Sequence, residues 1–110
     1  MKKPRPLRDE ECKLIKYLLS ETIEYHDFNI EELKVVDMND GGMGSVYFIN
    51  GNISIDDRKM YKSLVTKQFE DIDGTPISIS LNIDENNNLF ELDIWRVDFN
   101  PVKKYPQPAR

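Results

Sequence analysis

The sequence predicts an α+β domain in which an N-terminal helix packs on an antiparallel sheet of about five strands. Two patterns lead to this class: an amphipathic segment near the start of the chain, and alternating apolar and polar residues in its second half. With 110 residues, 39% of them hydrophobic, the chain suits one domain with a core of its own. We divide it into a basic tail over residues 1–7, the domain over residues 8–100 and a Pro-rich basic tail over residues 101–110.

The helix is predicted from Arg8 to Glu24. Apolar side chains recur there with the helical period, and the remaining positions are mostly charged, so one face suits a core and the other suits solvent. The acidic residues Asp9 to Glu11 favour the positive end of the helix dipole. A second, shorter helix is an option over residues 29–33. The apolar face contains Cys12, Leu14, Ile15, Leu18, Leu19, Thr22 and Ile23.

Two short β-rich runs, KVVDM at residues 34–38 and SVYFI at residues 45–49, predict a hairpin. The loop between them, NDGGMGS, raises the question of a phosphate-binding site. A phosphate loop is followed by a helix, whereas a strand follows here, and Asp37 and Asp40 would repel an anion. We interpret the glycines as backbone positions with positive φ in a hairpin or bulge. Residues 51–62 leave a helical turn and a loop as alternatives.

The C-terminal part of the domain predicts a three-stranded antiparallel meander. Apolar and polar residues alternate over residues 77–84 and again over residues 90–94. A loop over residues 85–88 sets a register in which every apolar residue meets an apolar one. This register pairs Ile83 with Phe90, Leu81 with Leu92 and Ile79 with Ile94.

The turn that precedes the middle strand, DIDGTP, allows two registers. A two-residue Asp-Gly turn would place polar residues opposite the apolar positions of the next strand. We choose a type I turn with Gly74 in the left-handed conformation, because apolar residues then face one another in most pairs. That register pairs Phe69 with Ile77, Val65 with Leu81 and, less favourably, Lys67 with Ile79.

The alternation changes phase at Trp95, the only tryptophan. Up to Ile94 the apolar residues of this strand are even-numbered, whereas the odd-numbered residues from Trp95 to Phe99 are apolar. A β-bulge would turn Trp95 toward the core, and we favour this option because an exposed tryptophan without a partner is unfavourable. Without a bulge, Trp95 would lie on the polar face, where it would suit the anchor of a binding site.

The polar face of the predicted sheet brings together two carboxylates, Glu91 and Asp93. Paired carboxylates can hold a metal or transfer protons, but a nuclease of the Asp…Glu-x-Lys type would need lysine at position 93. A single cysteine, Cys12, and a single histidine, His26, exclude an internal disulfide and the usual zinc sites. We expect Cys12 to be inert and His26 to lie on the surface, and we expect no cofactor, metal or catalytic residue. The candidate binding face comprises Ser78, Ser80, Asn82, Glu91, Asp93 and Trp95.

The charge distribution indicates the kind of partner. The net charge is −5, but seven of the 15 basic residues lie at the two ends, which leaves eight against 20 acidic residues, a net −12, in the body. Such a body repels phosphate backbones and suits a basic protein, so we expect no binding to nucleic acid. We also expect a cytoplasmic protein without membrane contact, because no apolar run is long enough and the basic start precedes acidic residues.

Three blocks occur in order along the chain: RPLRDEE at residues 5–11, DMNDGGMGSVYF at residues 37–48 and DGTPISISLNIDENNNLFELDIWRVDF at residues 73–99. In this combination the chain resembles a family of small uncharacterised bacterial proteins, catalogued as a domain of unknown function, over most of Arg5 to Phe99. Arg8 departs from the expected pattern, since Ser or Thr would cap the helix better. The resemblance implies a compact α+β domain and brings no activity or site residue with it.

These observations together predict a non-enzymatic protein-binding module, similar in role to the immunity proteins that neutralise bacterial toxins. Its acidic body would receive a basic partner. The alternative is a small enzyme that uses Glu91 and Asp93 with a divalent metal or a bound ligand. Self-association through a sheet edge or the Trp95 region is a third option, and the oligomeric state stays open.

Overall fold

One α-helix and a six-stranded antiparallel sheet form the part of the chain that the computed structural model describes, residues 3–22 and 28–108. The helix, α1, spans Asp9–Ser20, and 3-10 turns lie at Ile30–Glu32 and Ile55–Asp57. The order of the strands across the sheet is β1-β2-β3-β6-β5-β4. The strands are β1 (Arg5–Pro6), β2 (Lys34–Asp37), β3 (Val46–Phe48), β4 (Met60–Glu70), β5 (Pro76–Asp84) and β6 (Leu89–Arg96).

The α+β class and the C-terminal meander of β4, β5 and β6 are confirmed. The sheet has six strands where about five are expected, because Arg5–Pro6 pairs with β2 at one edge. The second short helix is a 3-10 turn at Ile30–Glu32. The predicted C-terminal end of α1, Ile23 and Glu24, lies outside the described residues, as does His26.

The start of α1 shows how the helix forms without a Ser or Thr cap. The carboxylate of Glu11 accepts the backbone N–H of Arg8 at 2.8 Å, which satisfies one of the free donors at this end. Burial alone would raise the pKa of Glu11, but the hydrogen bonds from Arg5 and Arg8 hold that pKa below its usual value. Because Arg5 belongs to β1 and also binds Asp37 of β2, the sheet edge and the helix start are joined.

The core lies between α1 and one face of the sheet. Three buried side chains of α1 enter it, and Cys12 packs at its border, where burial raises the pKa of the thiol as expected for an inert cysteine. No helix of the described residues packs on the opposite face, which we call the open face. The buried core residues are Leu14, Ile15, Leu18, Ile30, Val35, Val46, Phe48, Ile77, Ile79, Leu81, Ile83, Leu89, Leu92 and Ile94.

The predicted register between β5 and β6 is confirmed for two of its three pairs, and the third is wrong. Ile83 lies opposite Leu89 because a bulge interrupts the ladder next to Asn82. The extra residue is Phe90, whose ring lies 4.8 Å below the guanidinium of Arg58 and packs near Tyr47. The confirmed pairs are Leu81 with Leu92 and Ile79 with Ile94.

The predicted register between β4 and β5 is also confirmed. Gly74 has a φ of +84°, as the chosen turn requires. Lys67 does lie opposite Ile79, and its ammonium group reaches the carboxylate of Glu21, 2.9 Å away at the end of α1. A lysine can therefore stand on the core face at the sheet edge, because its stem packs there while its charge extends to solvent.

The glycine-rich loop connects β2 and β3 as a hairpin and has the predicted positive φ angles. The carboxylate of Asp40 accepts hydrogen bonds from the backbone N–H groups of Met43 and Ser45, at 3.2 and 2.8 Å. A side chain of the loop itself therefore occupies the N–H groups that would bind a phosphate in a phosphate loop. The backbone carbonyl of Gly42 accepts the N–H of Val102 at 3.2 Å. The loop thus serves as a compact turn on which the C-terminal segment docks.

Both segments that the sequence assigns to basic tails contribute to the domain where the structure describes them. Arg5 pairs with β2 at the N-terminal end. At the C-terminal end, the backbone N–H groups of Lys103 and Lys104 donate to Asp71, and Pro106 is buried. Within the described residues, no helix has the length and apolar character needed to cross a membrane.

Gly42→Ala should reduce the free energy of unfolding more than Gly41→Ala does. Both residues have left-handed φ angles, +85° and +74°, so each alanine should cost roughly 1–2 kcal/mol. Only at Gly42 would the added Cβ meet another atom, Pro101 Cβ at 3.2 Å, and the Val102 hydrogen bond limits its displacement. We expect an additional loss of roughly 1–3 kcal/mol in urea unfolding. Equal losses would show that the loop does not hold the C-terminal segment.

Candidate functional site

The register of the meander places the six candidate residues on the open face. They come from β5 and β6 and form three directly opposed pairs. Because side chains alternate along a strand, each pair points away from α1. That this face binds a partner stays a prediction. The pairs are Ser78 with Trp95, Ser80 with Asp93 and Asn82 with Glu91.

Cross-strand hydrogen bonds organise the polar part of this face. Strand β4 contributes three residues that the sequence analysis did not single out. The predicted β4–β5 register places Thr66 and Gln68 there, whereas a register shift between Ser63 and Val65 brings Ser63 opposite Asn82. Asn82 is buried beneath its neighbours and orients Glu91, so it acts as a support within the face. The bonds join Thr66 to Ser80 (2.8 Å), Gln68 to Ser78 (3.2 Å), Ser63 to Asn82 (2.6 Å) and Asn82 to Glu91 (2.9 Å).

The two carboxylates differ in their surroundings. Glu91 accepts a hydrogen bond from the Asn82 amide, whereas Asp93 has only a long contact of 3.5 Å with the Ser45 hydroxyl. Partial desolvation raises the pKa of Asp93, and the negative charge of Asp40 raises it further. Among residues 3–22 and 28–108, no ion pair joins either carboxylate to a lysine or arginine, and no cluster of three or more potential ligands could hold a metal ion.

Trp95 lies on the open face, so the favoured prediction that a bulge buries it is wrong. The ladder runs without interruption through Ile94 and Trp95, and the tryptophan is 41% exposed. The core-face position belongs instead to Arg96, which lies opposite Ile77 and is only 3% exposed. The local apolar pattern was misleading because the residue that enters the interior is charged.

A cluster of carboxylates explains why Arg96 is buried. Its guanidinium donates to Asp71 at 2.6 Å, to Asp73 at 2.8 Å and to Asp98 at 2.8 Å. The hydrogen bond from Arg96 lowers the pKa of Asp73 to about 2, and that of Asp98 is also held well below its usual value. Burial would raise the pKa of Asp71, but backbone donors led by Lys103, together with Arg96, hold it below its usual value. We call these four side chains the Arg96 cluster.

The turn that follows β6 exposes a second aromatic ring beside Trp95. Phe99 is 69% exposed, and its ring centroid lies 5.8 Å from that of Trp95. Its φ of +63° is unusual for a residue with a side chain and carries strain of roughly 1 kcal/mol or more. The Phe99 N–H donates to the carbonyl of Arg96 at 2.9 Å, and Asp98 accepts the N–H of Asn100 at 3.1 Å. The Arg96 cluster therefore holds an exposed aromatic pair in place.

A protein-family model described as a domain of unknown function, DUF6984, matches residues 4–106. The chain belongs to this family. The match includes α1 and all six strands, so membership in an uncharacterised domain family agrees with the resemblance of the sequence blocks. No curated protein and no solved structure matches the chain.

Arg96→Met should lower the free energy of unfolding by about 3–5 kcal/mol, because it leaves buried Asp71 without its charged partner. The matched control is Lys67→Met, which removes an exposed ion pair with Glu21 and should cost less than about 1 kcal/mol. Urea unfolding followed by far-UV circular dichroism measures both. A loss below about 1 kcal/mol for Arg96→Met would show that the Arg96 cluster contributes little to stability.

The stability of the domain should fall in acid through the carboxylates of the Arg96 cluster. Their folded-state pKa values lie below the unfolded values, so the stability they contribute is present above about pH 4. It is lost as the pH falls toward about 2, the folded-state pKa of Asp73. In urea unfolding at successive pH values, Asp73→Asn should reduce this acid dependence, whereas Asp57→Asn, at an exposed position outside the cluster, should leave it unchanged. Equal acid dependence in both variants would contradict this assignment.

Proposed function

We propose that this domain is a non-enzymatic protein-binding module whose open face receives a basic partner protein. The observation that carries the proposal is the exposed Trp95–Phe99 pair, which lies on the same face as Asp93, a carboxylate that forms no ion pair with the described residues. Partly exposed tryptophan is a frequent anchor of protein interfaces, and its ring also attracts lysine and arginine side chains.

The surroundings of the aromatic pair support a polar, cationic partner. Serine and glutamine side chains border Trp95 on β4 and β5 and can form the polar rim that surrounds an interface anchor. The net −12 of the chain body would speed the approach of a positively charged protein. We extend the proposal to a cytoplasmic, immunity-protein-like role in a bacterium, in which the domain neutralises a basic toxin.

The alternative, an enzyme that uses Glu91 and Asp93 with a divalent metal, has weaker support. The two side chains stand two positions apart on one strand, roughly 7 Å along it. Neither has a third ligand within the described residues. The raised pKa of Asp93 follows from desolvation and from Asp40, without a catalytic partner. Calorimetric titration with Mg²⁺, Mn²⁺ and Ca²⁺ separates the two functions, because micromolar binding that is lost in Glu91→Gln would favour the enzyme.

Trp95→Ala should weaken partner binding while leaving the fold intact. The partner is first captured on the immobilised domain from the native host at low and moderate salt, and it is then purified and titrated by calorimetry. We expect Trp95→Ala to weaken binding by roughly 30-fold or more, as for an interface anchor. Because the side chain is 41% exposed, we expect urea unfolding to change by less than about 1 kcal/mol.

Charge reversal provides the matched control for the same titration. Asp93→Lys should slow association, most strongly at low salt, because it reverses the charge beside the anchor. Asp57→Lys changes the net charge equally at an exposed position outside the open-face site and should alter affinity by less than about threefold. Equal effects of the two reversals, or full binding by Trp95→Ala, would contradict a partner site at Trp95.

A further inference from the structure

The open face has a second region, at β2 and β3, whose chemistry differs from that of the region formed by Trp95, Phe99 and Asp93, which we call the Trp95 patch. Val35 and Phe48 point into the core, so the alternate residues Val36 and Tyr47, which are paired with each other, point the opposite way. Ile49 continues this row beyond β3. These three side chains are only half-buried and none belongs to the core cluster. The sheet thus presents an apolar floor that no helix of the described residues covers.

A wall rises beside this floor from the segment over residues 50–58. A bridge between Asn50 and Ile53 and the 3-10 turn at Ile55–Asp57 give the segment its shape. Its end is anchored by Arg58, which is buried and donates to Asp84 at 2.8 Å and to the carbonyl of Phe48 at 2.6 Å. Its third hydrogen bond goes to the carbonyl of Leu89 at 2.7 Å, so this buried arginine joins the wall to β3 and β6.

Floor and wall enclose a groove of about 730 Å³, within the usual size range of small-molecule sites. Most of its surface is apolar, as in such sites. The lining residues that matter here are Val36, Tyr47, Ile49, Ile53, Ile55 and Asp56.

The ionisable groups of the groove set the charge of its ligand. Asp37 and Asp56 are the ionisable acids among its lining residues, and no lysine, arginine or histidine of the described residues lines it. Arg5 binds the carboxylate of Asp37 at 2.7 Å and compensates its charge. Asp56 forms no ion pair with the described residues, so its carboxylate gives the rim of the groove a negative charge.

We infer that the groove binds a small amphiphile that has an apolar body and a positively charged head group. The apolar body lies on the floor between Val36 and Ile53, and the head group lies at the rim near Asp56. Anionic amphiphiles such as fatty acids are disfavoured, because their carboxylate would meet a like charge. This site is distinct from the Trp95 patch, so ligand binding in the groove does not depend on whether a partner protein binds at Trp95.

Three probes with the same alkyl chain test the inference: octylammonium, 1-octanol and octanoate, titrated by ¹⁵N-¹H NMR at neutral pH below their aggregation concentrations. We expect saturable shifts at residues 36–38 and 47–56, and smaller ones at residues 78–95. Octylammonium should bind roughly tenfold more tightly than octanoate, as expected for unit charges a few ångströms apart near solvent. Absence of saturable shifts in the groove, or preference for octanoate, would overturn the inference.

Two pairs of variants locate the site. Ile53→Asp places a charge in the wall and should weaken 1-octanol binding roughly tenfold, whereas Ile72→Asp, at an exposed isoleucine outside the groove, should not.

Asp56→Asn should bring the affinities of octylammonium and octanoate close together, and the neighbouring Asp57→Asn should keep the difference. Equal effects within either pair would overturn the assignment. So would a wild-type dimer that Ile53→Asp converts to a monomer in sedimentation, because the groove would then bind a second copy of the chain.

Discussion

The buried guanidinium of Arg96 is the interaction on which the rest of this arrangement depends. It occupies a core-face position opposite Ile77, where a charged group is tolerated only when its donors are satisfied. Three carboxylates satisfy them, and one of these, Asp71, also accepts the backbone N–H groups of Lys103 and Lys104. A single side chain therefore joins the β4–β5 turn, the end of β6 and the C-terminal segment.

The same cluster decides what the surface displays. Because side chains alternate along a strand, an inward Arg96 requires an outward Trp95. The carboxylate of Asp98 and the carbonyl of Arg96 then hold the following turn, in which Phe99 has a left-handed conformation. Strain of this kind persists only where the surroundings compensate it, and it is common at functional positions. The position of the exposed aromatic pair and the burial of Arg96 thus have one cause.

The open face exists because the one α-helix of the described residues covers only one side of the six-stranded sheet. Its two regions have different chemistry: a polar, acidic part with aromatic rings over β4, β5 and β6, and an apolar groove over β2 and β3. Each is held by a buried arginine, Arg96 for the aromatic pair and Arg58 for the wall of the groove. Membership in DUF6984 gives this fold a family.

The sequence by itself determined the elements that depend on short-range patterns: α1, the β2–β3 hairpin and the meander with its two turns, since helical period, strand alternation and turn geometry act over a few residues. Such patterns do not predict the two-residue strand β1, because its position depends on the contacts of Arg5 with Asp37 and Glu11. The orientation of Trp95 was likewise decided by tertiary structure. Local alternation treats an arginine as solvent-facing, whereas Arg96 is buried because Asp71, 25 positions earlier in the chain, supplies the opposite charge. A pattern of apolar residues cannot show whether a charge has a partner distant in sequence, and that partner determines which face of the strand is exposed.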